Sequence, residues 1–125
     1  KSRPTVSILR IPVRAGSEAA YAEEFARLRV FDRTASLAGF RSGRLLRPVA
    51  AGEPFTVVAE WDGPQWYELW LGHPAREELG ESPDELVDGE MTGTLYTEVY
   101  ARGEPTYGAP LGPRDEARSM TGGTT

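Results

Sequence analysis

Trp61, Trp66, Tyr67, Trp70 and His73 crowd into one short stretch of this sequence. A phenol can donate a hydrogen bond to a ligand oxygen or exchange a proton with it. Indoles offer flat, apolar walls. Together they suit a flat aromatic ligand held in an apolar cavity with a few polar contacts. Spacing limits how they can cooperate. Trp66 and Trp70 sit at i, i+4 and share a helix face, and Tyr67 and Trp70 at i, i+3 can flank one cavity. Trp66 and Tyr67 are adjacent and cannot both point inward. The same residues would serve equally as a core stripe, and Trp61, closing a run of strand formers, as core. His73 precedes Pro74, which makes it either a helix-terminal residue or a site base. Arg44 and Arg47 could meet a substrate carboxylate or form surface or dimer ion pairs.

Other chemistries lack their parts. One histidine serves the whole chain, so no Ser-His-Asp set can be assembled, and no Gly-rich phosphate loop is present. The acidic run from Glu77 to Glu90 lacks the spacing of a metal site and reads as a solvated loop; no metal is expected. There are no cysteines, which excludes disulfides and thiolate sites.

The elements that must position these residues follow from the pattern. Thr5 to Val13 is rich in β-branched residues and lies between Pro4 and Gly16, which predicts a strand ending near Pro12. Ser17 is placed to cap a helix whose apolar face is Tyr21, Phe25 and Leu28. That helix is expected to reach about Arg33 or a little beyond, with Gly39 marking its end. Phe40–Val49 and Phe55–Trp61 read as strands joined by the turn at Ala51-Gly52-Glu53-Pro54, hence an antiparallel hairpin. Asp62 is the expected cap of a second helix, with Pro64 in its first turn and His73-Pro74 breaking or restarting it. A short helix is expected at Pro83–Val87 and a last strand at Thr92–Arg102.

The order β-α-β-β-α-β predicts an α+β, ferredoxin-like antiparallel sheet with both helices on one face. The third strand is apolar on both sides: Phe55, Val57, Ala59 and Trp61 face one way, and Thr56 and Val58 the other. A second copy of the chain is the simplest cover for the open face, so a homodimer is expected. The chain has 125 residues, enough for one domain, expected at 1–102, with a flexible tail at 103–125. The net charge is −5 and the arginines are scattered, which argues against nucleic acid as a partner. No apolar run spans a membrane and no export signal is visible, so the cytoplasm is the expected compartment.

Two segments, A-G-F-R-S-G-R-L-L-R-P-V (Ala38–Val49) and F-T-V-V-A-E-W-D-G-P-Q-W-Y-E-L-W (Phe55–Trp70), resemble the antibiotic-biosynthesis monooxygenase family. The resemblance covers roughly Thr5 to Arg102. It rests on a Gly-Phe opening the second strand, an aromatic-ended third strand, and aromatics on the helix that follows. It implies a dimer of ferredoxin-like units whose sheets form a barrel, with one pocket per subunit between sheet and helices. It also implies oxidation of an aromatic polyketide by O₂ without metal, haem or flavin. In the anthrone-oxidising branch, a Trp ending the third strand and a Tyr on the next helix serve the pocket; Trp61 and Tyr67 match them and become the catalytic candidates. That branch also uses an Asn on the third strand, where Val57 stands. Its Arg on the second helix has no counterpart in register: Arg76 is nearby, and Gly80 lies closer to the slot. A haem-degrading branch uses an Asn on the first strand, a Trp on the second helix and a His one to two turns later. Here those positions are Leu9, Trp70 and Leu79, and His73 comes two turns too early. Trp70, Trp66, His73, Arg44, Leu9 and Val57 are the substrate-binding candidates. Three alternatives stay open: a ring-cleaving oxygenase that uses reduced flavin, a non-redox cyclase or binding protein of the same fold, and haem degradation.

Overall fold

The computed structural model of the chain describes residues 3–80 and 83–103. Its elements run β1 (Thr5–Ile11), α1 (Glu18–Arg27), α2 (Val30–Thr34), β2 (Phe40–Leu46), β3 (Phe55–Trp61), α3 (Pro64–Leu71), α4 (Pro74–Glu77), a 3₁₀ turn (Asp84–Leu86) and β4 (Thr92–Thr97). The sheet order is β2-β3-β1-β4, and every neighbouring pair is antiparallel. This is the ferredoxin-like arrangement that the strand–helix order predicts. The tail expected from residue 103 lies, beyond Gly103, outside the described residues.

Side-chain alternation divides the sheet into two faces. Ser7, Leu9 and Ile11 on β1, with Val57, Ala59 and Trp61 on β3, face the helices and line a cavity there. Val6, Ile8, Thr56 and Val58 therefore face the other way. That second face also carries Leu46 and Tyr96, which are exposed.

Several elements depart from the sequence expectation, each for a local reason. The first helix does not run through to Arg33. It stops at Arg27, and Arg29 takes a left-handed backbone (φ 53) before α2 begins. The Arg33 guanidinium donates to the Leu28 carbonyl at 2.7 Å, capping the broken end. The break turns the chain so that Val30, Phe31 and Thr34 roof the cavity instead of leaving it. Ser17 occupies the cap position of α1 without a side-chain capping bond. The Glu18 carboxylate takes up the Gly16 N–H instead, at 3.0 Å. Asp62 likewise does not cap α3. Gly63 is the capping residue, in extended backbone, because the Asp62 carboxylate pairs with Arg41 at 2.6 Å.

Strand lengths follow their partners. β4 ends at Thr97, not Arg102, because β1, its partner, begins at Thr5, which pairs with Thr97. β2 ends at Leu46, opposite Thr56 at the start of β3. An extra residue at Arg41 shifts the register of β2, where Phe40 faces Trp61 and Ser42 faces Glu60. Such a bulge reverses side-chain parity. It lets Phe40 and Gly43 both face the helices, with Phe31 seated directly over Gly43.

Two buried clusters form the core on the helix side. One gathers Leu37, Ala59, Trp61 and Trp70; the other gathers Ile11, Tyr21 and Phe55. The cavity opens between them.

Candidate active site

A cavity of about 360 Å³ lies between the sheet and the helices. That is within the range of small-molecule sites. Trp61, at the end of β3, is 2% exposed and forms part of its wall. Its indole N–H donates to Ser7 Oγ at 2.9 Å. The one donor of Trp61 is therefore spent inside the protein, leaving the ring as a wall and Ser7 as the polar atom beside it. The Trp61 ring meets Phe40 edge-on at 5.3 Å and Tyr67 at 5.8 Å.

Tyr67 hangs from α3 into the cavity. Its hydroxyl finds no hydrogen-bond partner among the described residues. It reaches over Gly93 of β4, where an added Cβ would lie 2.6 Å from the hydroxyl oxygen and 3.6 Å from a Leu9 methyl. A side chain at position 93 would collide with the phenol, so glycine there is a matter of clearance. Trp70 completes this wall at 8% exposure.

Of the residues singled out by sequence, the cavity gathers Trp61, Tyr67, Trp70, Leu9 and Val57. Trp66, His73 and Arg44 lie outside its lining. Trp66 packs on Gly39, where no Cβ would fit beneath the indole. It pins α3 to the start of β2 and packs on the Leu37, Trp61 and Trp70 cluster, so of the two adjacent aromatics only Tyr67 enters the cavity. His73 caps α4: its Nδ1 accepts the Ala75 N–H at 3.0 Å, and its ring stacks on Trp70 at 6.1 Å, behind the cavity wall. Arg44 on β2 pairs with Val58 of β3. Its inward neighbours are Gly43 and Leu45, so its side chain falls on the open face of the sheet.

Other lining residues were not singled out as site residues. Ser7, Thr34, Met91 and Gly93 face the cavity, as do Arg76 and Asp84 from the connection between α3 and β4. Ser7 was legible in principle, since it lies two positions before Leu9 on the same strand face. Tyr21 stood out only as part of a helical stripe, yet it also lines the cavity. Burial and the nearby Asp84 carboxylate push its hydroxyl pKa up to about 12. A neutral phenol is thus secure there at ordinary pH.

A model of the antibiotic biosynthesis monooxygenase family matches residues 4–82. The chain belongs to that family. Solved structures with this fold include a cofactor-independent oxygenase, SnoaB, from Streptomyces nogalater, at 19% identity and TM-score 0.66, covering 82% of this chain and 100% of that one. A family member from Nitrosomonas europaea aligns at 12% identity and TM-score 0.67, over 82% of this chain and 97% of that one. A variant of MhuD with two manganese protoporphyrin IX groups bound per active site aligns at 26% identity and TM-score 0.69, over 81% of this chain and 100% of that one. No curated protein matches the chain. Among the described residues, no helix is long and apolar enough to cross a membrane, and no group of three or more His, Cys, Asp or Glu is placed to hold a metal ion.

The family's haem-binding branch raises the question of an iron ligand. The residues here do not fit that route. Leu79, the position matching the ligand, lines the cavity with an alkyl chain, and the one histidine is turned to a helix cap outside it. Leu9, where the resemblance puts that branch's Asn, likewise lines the cavity with an alkyl chain.

Proposed function

We propose that this family member binds a flat, oxygen-bearing aromatic molecule of the phenolic polyketide class in the cavity and oxidises it with O₂, without metal, haem or flavin. The observation that carries this reading is the unpartnered Tyr67 hydroxyl, set in a cavity walled by Trp61 and Trp70. A free donor amid apolar walls is what a developing phenolate needs, since water is excluded and the hydrogen bond is strong there.

In this reading, Tyr67 donates to the substrate's carbonyl or phenolate oxygen and Trp61 holds the ring plane. Ionisation of the benzylic CH₂ across the central ring from that oxygen gives a phenolate-like anion conjugated with it. The anion passes one electron to O₂, and the radical pair joins to form a carbon-bound hydroperoxide. Loss of water breaks the O–O bond and leaves a new C=O. Both CH₂ hydrogens leave in that water with one oxygen atom; the other oxygen stays on the quinone. An acidic substrate of this kind needs little from a base, which matches a cavity lacking histidine. Apolar side chains across the open sheet face support a homodimer that buries Val6, Ile8 and Val58.

A second reading rests on Leu9 and Val57. Both line the cavity where related enzymes carry amides, which favours a binding protein or cyclase without redox chemistry. One experiment separates the two: O₂ uptake by the purified protein given anthrone, with the quinone followed by absorbance. The oxygenase reading expects enzyme-dependent uptake with one quinone per O₂ and no added cofactor. Tyr67→Phe should lower kcat about 100-fold, the scale of losing one donor to a developing oxyanion. Anthrone binding with no enzyme-dependent quinone, whether alone, with reduced flavin or with haem, would sink the oxygenase and leave the binding protein.

A further inference from the structure

The cavity holds a second phenol. Tyr21 on α1 is only 4% exposed, yet it lines the cavity, and its hydroxyl has no hydrogen-bond partner among the described residues. Nothing about its ring is loose. It packs edge-on against Phe55 at 5.5 Å and beside Phe25 at 6.1 Å. Its hydroxyl is not sealed in the core but opens to the cavity, so its partner comes from whatever fills that space, water or ligand.

Asp84 also lines the cavity, and its neighbours Leu86 and Val87 pack against the Ile11, Tyr21 and Phe55 cluster, which brings its charge near the Tyr21 hydroxyl. Its position is fixed by the strap that carries it. Arg14 donates from its guanidinium to the Glu85 carbonyl and from its backbone N–H to the Leu86 carbonyl, both at 2.7 Å. The Asp88 N–H donates to the Pro12 carbonyl, also at 2.7 Å, and Val13 bridges to Val87. The strap is therefore held to the chain just after β1. A donor and an acceptor thus converge beside Ile11 and Phe55, whereas Tyr67 reaches over Leu9 and Gly93. The sheet positions beneath the two phenols are one two-residue step apart along β1, roughly 7 Å.

We propose that Tyr21 and Asp84 form a second polar subsite that takes a hydroxyl group on a ring next to the one bound by Tyr67, with Tyr21 donating to that hydroxyl and the hydroxyl donating to Asp84. The ligand is then a fused-ring aromatic with a carbonyl oxygen for Tyr67 and a free hydroxyl on the neighbouring ring. This rests on the flat-aromatic reading of the cavity and adds a specificity determinant to it.

The test compares anthraquinone with 2-hydroxyanthraquinone, two probes that differ by one hydroxyl. Affinities are measured by quenching of tryptophan fluorescence in mildly acidic buffer, where the phenol stays neutral. The wild-type protein should bind the hydroxylated probe about tenfold more tightly, the scale of a charge-assisted hydrogen bond. Tyr21→Phe, which keeps the ring packing, and Asp84→Asn, on the exposed strap, should each cut that preference, read as the ratio of the two affinities within each variant, to about threefold or less. Asp84→Asn keeps the test open if Tyr21→Phe does not fold. Equal wild-type affinity for the two probes, or a preference that survives in both variants, overturns the subsite and leaves the flat-aromatic reading standing. Failure of the wild type to bind either probe overturns both.

Discussion

The two ends of the cavity are built in opposite ways. At one end, Trp61, Tyr67 and Trp70 come from a single strand–helix unit, and each is core and wall at once. Trp61 belongs to a buried cluster and still spends its donor on Ser7. At the other end, Tyr21 and Asp84 come from segments far apart in sequence, brought together by a strap that a few backbone hydrogen bonds hold in place. The first end cannot be altered without disturbing the fold. At the second, Tyr21 is core as well, and only Asp84, exposed on the strap, can be changed at little cost to the fold. A fold that keeps its ring-holding wall inside the core and one of its selective contacts on a strap can vary what it binds while keeping how it binds.

Three measurements sharpen or break this contrast. The largest effect is expected from Trp61→Ala, which removes a fully buried indole and should cost about 3–5 kcal/mol in urea unfolding. A cost near that of a surface change would mean the first end is not core. Arg14→Ala comes next. It removes one bond from the strap and should lower stability by only about 1 kcal/mol, while reducing the preference for the hydroxylated probe more than it changes anthraquinone binding. Equal weakening of both probes would show that the strap shapes the whole cavity. The last effect appears only at high pH. Tyr21 titrates near 10 in the unfolded chain and at about 12 in the folded one. Its contribution is complete below pH 10 and is lost as pH rises through 12, because the unfolded state releases the proton first. Tyr21→Phe should flatten the fall in unfolding free energy between those values; an unchanged slope would place the Tyr21 hydroxyl in water.

The same contrast explains what could be read in advance. Strands with dense β-branched residues and the aromatic series from Trp61 to Trp70 carry their pattern locally, so the sheet and the first end of the site were legible. The break at Arg29 was not, since neither Gly nor Pro marks it and the turn is fixed by Arg33 reaching the Leu28 carbonyl. The bulge at Arg41 had no local sign either. It makes sense only with Trp61 opposite Phe40. Asp62 looked like a helix cap by type and position, but a guanidinium from β2 claims its carboxylate. Adjacency kept Trp66 and Tyr67 from both entering the cavity without saying which would; Gly39 decides it by giving Trp66 a seat. Asp84 sat in an acidic run with nothing to separate it from its neighbours until the strap was placed.

The sheet order carries a practical consequence for handling the chain. The family match ends at residue 82, yet β1 lies between β3 and β4. A chain cut at that boundary would strip β4 away and turn the central strand into an open edge, with a row of backbone N–H and C=O groups bare along Thr5–Ile11. Such an edge invites strand-to-strand association. The cavity would lose Gly93, and with it the flank over which Tyr67 reaches. Keeping β1 paired on both sides and Gly93 under Tyr67 therefore requires the chain to extend at least through Thr97.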